Sequence, residues 1–84
     1  MQQNISPEHY FYLHKDGILK NYEDLFSALQ DMDEHVFRHH VNEHKNDFAL
    51  WAKDVFEDVG FARKLERTKD QSQTLRIVFT RLFL

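Results

Sequence analysis

Six histidines stand in a chain of 84 residues, and four of them, His35, His39, His40 and His44, fall within ten positions of one another. His35/His39 and His40/His44 are each four residues apart. That spacing sets two imidazoles side by side on one helix face, where they can offer two nitrogen ligands to a metal. In a continuous helix Asp31 would extend the first pair to three ligands, but Asp33 has the chemistry of a fresh helix cap, which rotates Asp31 away. Two ligands do not close a site. The glutamate that follows the first histidine of a zinc-protease helix is also missing, since Val36 follows His35 and Val41 follows His40. His35, His39 and His44 therefore read as solvated imidazoles, and His40 as a partly buried one beside Phe37 and Val41. No bound metal is expected. The pair His35 and His39 is retained as the alternative of a metal-binding or pH-responsive module, because imidazoles titrate near neutrality.

Other reactive constellations are missing or incomplete. The chain has no cysteine, which excludes a thiol nucleophile, a thiolate zinc site and a disulfide scaffold. Its serines, Ser6, Ser27 and Ser72, lie in no nucleophile elbow, and two glycines supply no loop to cradle a phosphate. The carboxylates Glu23, Asp24, Asp31, Asp33, Glu34, Glu57 and Asp58 fall at helix starts or on polar faces, where they serve the helix dipole and solubility. A domain this small also has little room for a ligand pocket of several hundred cubic ångströms. Neither an enzyme nor a bound cofactor is expected.

The net charge of −3 hides an asymmetry: residues 1–62 carry five Lys/Arg against twelve Asp/Glu, whereas residues 63–84 carry six against two. Arg63, Lys64, Arg67, Lys69, Arg76 and Arg81 could form a basic stripe suited to nucleic acid, the second alternative. The pI of about 6.0 lies far from the basic signature of such proteins, and the acidic remainder would repel a duplex. The split is more simply satisfied by packing the basic end against the acidic part.

These side chains must be positioned by elements that the residue pattern already suggests. With 42% hydrophobic residues, twelve aromatics among them, the chain is too apolar to be disordered, and its length allows a single core. One domain over residues 1–84 is expected, with residues 1–5 disordered. Ser6-Pro7-Glu8 resembles a helix start, with Ser6 as cap and Pro7 at the first helical position. Tyr10 to His14 and Ile18 to Lys20 form two short runs joined by Asp16-Gly17, which suits a tight hairpin turn. Tyr22, Leu25, Phe26, Leu29 and Met32 then recur at helical steps behind Asn21 as cap, and a second helix with Val36, Phe37, His40 and Val41 starts at Asp33. Phe48, Trp51, Ala52, Val55, Phe56 and Val59 mark a third helix capped by Asn46, which Gly60 should end in a left-handed conformation before Phe61, Ala62 and Leu65 begin a shorter piece. Leu75, Val78, Phe79, Leu82 and Phe83 follow Asp70 at helical spacing, with a strand over the β-prone Ile77 to Thr80 as the alternative. The expected fold is all-α or predominantly α: a bundle of four to five short helices with a small N-terminal β-hairpin.

Leu50, Ile77 and Leu84 lie off the helical stripes, and Leu82, Phe83 and Leu84 make an unusually apolar end. If Leu50, Ile77, Leu82, Phe83 and Leu84 converge, they form a patch suited to a partner protein or a second copy. A non-catalytic interaction or accessory module is the expected role. The opening residues lack the basic start of a secretory signal and no apolar run approaches a membrane span, so a cytoplasmic protein without membrane contact is expected.

The run His40-Val41-Asn42, followed by Asn46-Asp47-Phe48-Ala49-Leu50-Trp51 and Asp54-Val55-Phe56, resembles the H-V-N...N-D-F-x-x-W signature of an uncharacterised prokaryotic domain family of unknown function. The segment Tyr12 to Gly17 and the helix Tyr22 to Leu29 fit its earlier parts, and Gly60-Phe61-Ala62-Arg63-Lys64-Leu65 fits its last, with Phe61 where the family usually has Leu. The resemblance spans roughly residues 10–70. It implies a small, mostly helical module found alone or attached to larger proteins, and no known activity. Physically the signature reads as a corner in which Asn46 caps a helix, Asp47 stands at its dipole, Phe48 and Trp51 enter the core, and His40 approaches Asn46 or Asp47 across the turn.

Overall fold

The computed structural model describes residues 5–84. A single 3₁₀ turn at Pro7–His9 leads into a two-stranded antiparallel hairpin, β1 (Phe11–Tyr12) and β2 (Ile18–Leu19). Five helices follow: α1 (Tyr22–Asp31), α2 (Glu34–His40), α3 (Asp47–Phe56), α4 (Val59–Glu66) and α5 (Gln71–Phe83). The fold is thus predominantly α with a small N-terminal hairpin.

Four helices start at side chains that accept a hydrogen bond from their own first turn. Asn21 accepts from the Asp24 amide, Asp33 from His35, Asn46 from Ala49 and Asp70 from Gln73, at 2.8 to 3.0 Å. Each such cap stabilises its helix by about 1 kcal/mol. At the 3₁₀ turn Ser6 holds the cap position but its side chain makes no capping bond.

The break between α3 and α4 differs from the sequence expectation. Gly60 does not end the third helix; it lies inside α4, and the left-handed residue is Glu57, with φ of 55°. The chain turns there so that Phe61, Ala62 and Leu65 of α4 face the same core as Phe48, Ala49, Trp51 and Ala52 of α3. Val59, assigned to the α3 stripe by spacing, opens α4 and is exposed. The hairpin turn differs too. Phe11 pairs with Leu19 and Tyr12 with Ile18, so residues 13–17 form a five-residue loop rather than a two-residue Asp-Gly turn. Leu13 N–H donates to Gly17 O (2.9 Å), and Leu13 folds back so closely that a Cβ on Gly17 would lie 2.9 Å from its Cδ1. Leu13 thereby packs against the core.

Leu19 of β2, Tyr22, Leu25 and Leu29 of α1, Phe37 of α2, Val41 after it and Val78 of α5 complete the buried hydrophobic core. The main helix pairings are α3 with α4 and α1 with α5. Gln71 Nε2 donates to Leu29 O (3.1 Å) and Met32 O (2.9 Å), satisfying carbonyls at the end of α1 from the start of α5. Residues 77–80 are helical. Of the α5 apolar stripe only Val78 is fully buried; Phe79 and Phe83 lie on the surface against Phe26, with ring centroids 5.9 and 5.7 Å away. The expected disorder of residues 1–5 concerns, for 1–4, positions outside the described residues, whereas Ile5 is partly buried against the core. Among the described residues no helix is long and apolar enough to cross a membrane.

Candidate functional site

The residues of the resembled signature fold into one corner, and each ties it to a different element. An isolated bridge between Val41 and Asn46 closes the α2–α3 connection, with Asn42 Nδ2 bonded to Arg38 O (3.0 Å). Asn46 caps α3 with Oδ1 and donates Nδ2–H to Leu65 O on α4 (3.1 Å). Trp51, buried, donates Nε1–H to His9 O of the 3₁₀ turn (2.8 Å). Phe48 is fully buried and packs between Phe11 and Phe37.

His40 is the hub of this corner. Its Nε2 accepts the backbone N–H of His14 (3.0 Å), which can only donate, so in that pairing the proton resides on Nδ1 and is donated to Asp47 Oδ2 (3.0 Å). Lys45 Nζ holds the same Asp47 oxygen at 3.0 Å. His40 is buried, and both ring nitrogens are satisfied within the fold. This is a positioning arrangement, with no nitrogen left for a ligand.

His35 and His39 are exposed on α2, and His14 of the hairpin loop joins them: its ring stacks on His39 at 3.9 Å and 9°, and lies 6.3 Å from His35. Stacked rings present faces to each other and do not aim their nitrogens at a common point. Among the described residues no group of three His, Asp or Glu is placed to hold a metal. Partial desolvation, and then the positive charges of His39, Lys15 and His35, hold the His14 pKa below its ordinary value. His44 is exposed, away from these rings, with its amide bonded to Asn42 Oδ1.

The five apolar residues proposed as a patch do not form one surface. Ile77 and Leu84 line a groove between α4 and α5, Phe83 faces Phe26 and Phe79, Leu82 is partly buried against the core, and Leu50 is exposed on α3 outside the groove. The basic residues divide likewise. Lys64, Arg76 and Arg81 line the groove, Lys69 borders a separate polar hollow with Asp70, Glu34 and Arg38, and Arg63 and Arg67 are exposed outside both.

The groove encloses about 610 Å³, larger than a chain of this size suggests. Its apolar lining is Phe61, Ile77 and Leu84, and its charged rim is Lys64, Arg76, Arg81 and Asp58. Asp58 is committed inward: one oxygen accepts from Tyr22 Oη (3.1 Å) and from Arg81 Nε (3.0 Å). Burial and the Asp58 carboxylate push the Tyr22 phenol pKa well above its ordinary value, so Tyr22 stays a donor. Arg81 also lies over the Tyr22 and Phe61 rings, at 5.5 and 6.0 Å. Lys64 and Arg76 form no ion pair among the described residues.

Sequence reasoning missed Asp58, Gly60 and Phe61 as partners of Ile77 and Leu84, and it missed His14 as a partner of His39 and His40. Compared with known proteins, the chain matches no family model, no curated protein and no solved structure.

Proposed function

We propose that the chain is a non-catalytic interaction module that binds a partner protein through the α4/α5 groove. The observation that supports this reading is the groove's composition: an apolar lining bordered by two cations, Lys64 and Arg76, that form no ion pair among the described residues. The three other constellations are internally committed. His40 spends both nitrogens on the corner, the His14/His39 rings are stacked face to face, and Asp58 is held by Tyr22 and Arg81. A catalytic reading would need a nucleophile or an acid–base pair at the groove, and its rim offers only cations, Thr80 and the occupied Asp58.

The test is site-specific photocrosslinking in the native host, with the photoreactive residue at Thr80 inside the groove or at Ser27 on α1. The expected result is a protein adduct at Thr80 that disappears when Gly60→Leu fills the groove, with none at Ser27. Adduct mass separates a second copy from a different protein, and light scattering over a dilution series checks self-association independently. Equal adducts at both positions, or adducts indifferent to Gly60→Leu, refute the groove as the docking site.

A further inference from the structure

Resting on that reading, we infer that the groove's occupant is a short acidic amphipathic helix of the partner. It presents apolar side chains to Ile77 and Leu84, above the buried Phe61 floor, and carboxylates to Lys64 and Arg76.

The walls dictate the shape of the occupant. On α5 the lining residues Arg76, Ile77, Thr80, Arg81 and Leu84 follow one helical stripe, and on α4 Gly60, Phe61 and Lys64 do the same. Two such stripes facing one trough form a ridge-and-groove seat for a third helix. From Arg76 to Leu84 the α5 stripe rises about 12 Å, the length of about two turns. Neither wall is a sheet edge, so an extended strand would find no ladder of backbone groups to pair with.

Gly60 keeps the trough open. It sits inside α4 without a positive φ, so the backbone does not require glycine there, and a Cβ built on it meets nothing within 4 Å. Alanine and most other residues are better helix formers than glycine, and any side chain there would project atoms into the groove that Gly60 lines.

Charge selects the chemistry. The four charged groove residues sum to +2 on a chain whose total is −3. A long polyanion such as nucleic acid would meet the acidic remainder of the surface, whereas a helix of two turns meets only the rim. The cations would then orient the helix and hasten its arrival, with the apolar contacts holding it.

The experiment uses the full chain and two capped synthetic helical peptides of about twelve residues. Both carry leucines four apart; one has glutamates at the flanking positions, and the other has glutamines there. Affinity is read by fluorescence anisotropy at low and high salt. The expected result is that the glutamate peptide binds about tenfold more tightly than the glutamine peptide at low salt and loses that preference at high salt. Lys64→Gln with Arg76→Gln, both at exposed positions, abolishes the preference, and Gly60→Leu, which retains the fold by circular dichroism, weakens the glutamate peptide at least about tenfold. Equal binding of the two peptides, or binding by neither while Thr80 crosslinks still form, overturns the acidic-helix inference and leaves the groove reading intact. Glutamate-peptide binding that ignores Gly60→Leu overturns both. A single-stranded oligonucleotide that outcompetes the peptide overturns the inference in favour of nucleic acid.

Discussion

Replacing His40 tests the corner more sharply than any other substitution, because two replacements of the same residue separate the hydrogen bonds from the packing. In His40→Leu the His14 N–H loses its acceptor in a partly buried position, which costs about 1–3 kcal/mol. Asp47 loses a donor but keeps Lys45 and some water, so this second loss falls near the lower end, about 1 kcal/mol. The leucine retains much of the contact with Phe11 and Phe48, whose centroids lie 5.0 and 5.5 Å from the imidazole. The total is about 3 kcal/mol. In His40→Gln the amide oxygen can accept from His14 and the amide nitrogen can donate to Asp47, leaving only the ring contacts, about 1 kcal/mol. Urea titration followed by circular dichroism at about pH 7.5, where imidazole is mostly neutral, should place the two midpoints about 2 M apart for a slope near 1 kcal/mol per M. Coincident midpoints would refute the bonding scheme. So would an imidazole nitrogen spectrum of the unmodified chain showing the proton of His40 on Nε2 in place of Nδ1.

Other parts of the fold give further expectations. Asn46→Ala should cost about 2 kcal/mol, twice the loss from Asp70→Ala, because Asn46 both caps α3 and bonds Leu65 O whereas Asp70 supplies a cap side chain alone; urea midpoints compare them. Glu57→Gly should stabilise by up to about 1 kcal/mol, raising Tm by several degrees, since a left-handed φ of 55° strains a residue with a Cβ; an unchanged or lower Tm contradicts this. His14, with its pKa held below the ordinary 6.5, contributes stability that is complete above that value and is lost as pH falls through the folded-state pKa. His14→Asn should therefore flatten the decline of stability between about pH 7 and 5, and an identical slope would remove His14 from the account.

The helix starts were readable because a cap is a local device: Asn21, Asp33, Asn46 and Asp70 each act within three residues of themselves. The α3–α4 break was not, because a non-glycine residue in the left-handed region leaves no compositional mark, and Gly60 offered a more obvious stop three residues later. Helix won over strand at Ile77 to Thr80 because the Asp70 cap and the spacing of Thr74 and Val78 outweigh β-branched propensity. The site was harder to read than the fold. Ile77 and Leu84 were marked by being off the stripe, but their association with Phe61 and Lys64 depends on how α4 packs on α5, which spacing within one helix does not encode. His14 escaped notice for the same reason: its amide meets His40 from 26 residues away, through the docking of the hairpin.

The indole of Trp51 carries a further consequence. It is the single tryptophan of the chain, it packs against Phe11 and Phe56 with centroids 5.6 and 5.1 Å away, and its Nε1–H is held by His9 O. One side of its surroundings, Phe11 and the His9 carbonyl, is thus supplied by the N-terminal segment, and its fluorescence is a native optical gauge of whether that segment is seated. Detachment of residues 5–13 from the helical body would admit water to the ring and move its emission to longer wavelength while the far-ultraviolet signal of the five helices persists. The two spectroscopic signals together distinguish local opening of the N-terminal segment from loss of the whole fold, without a label or an added mutation.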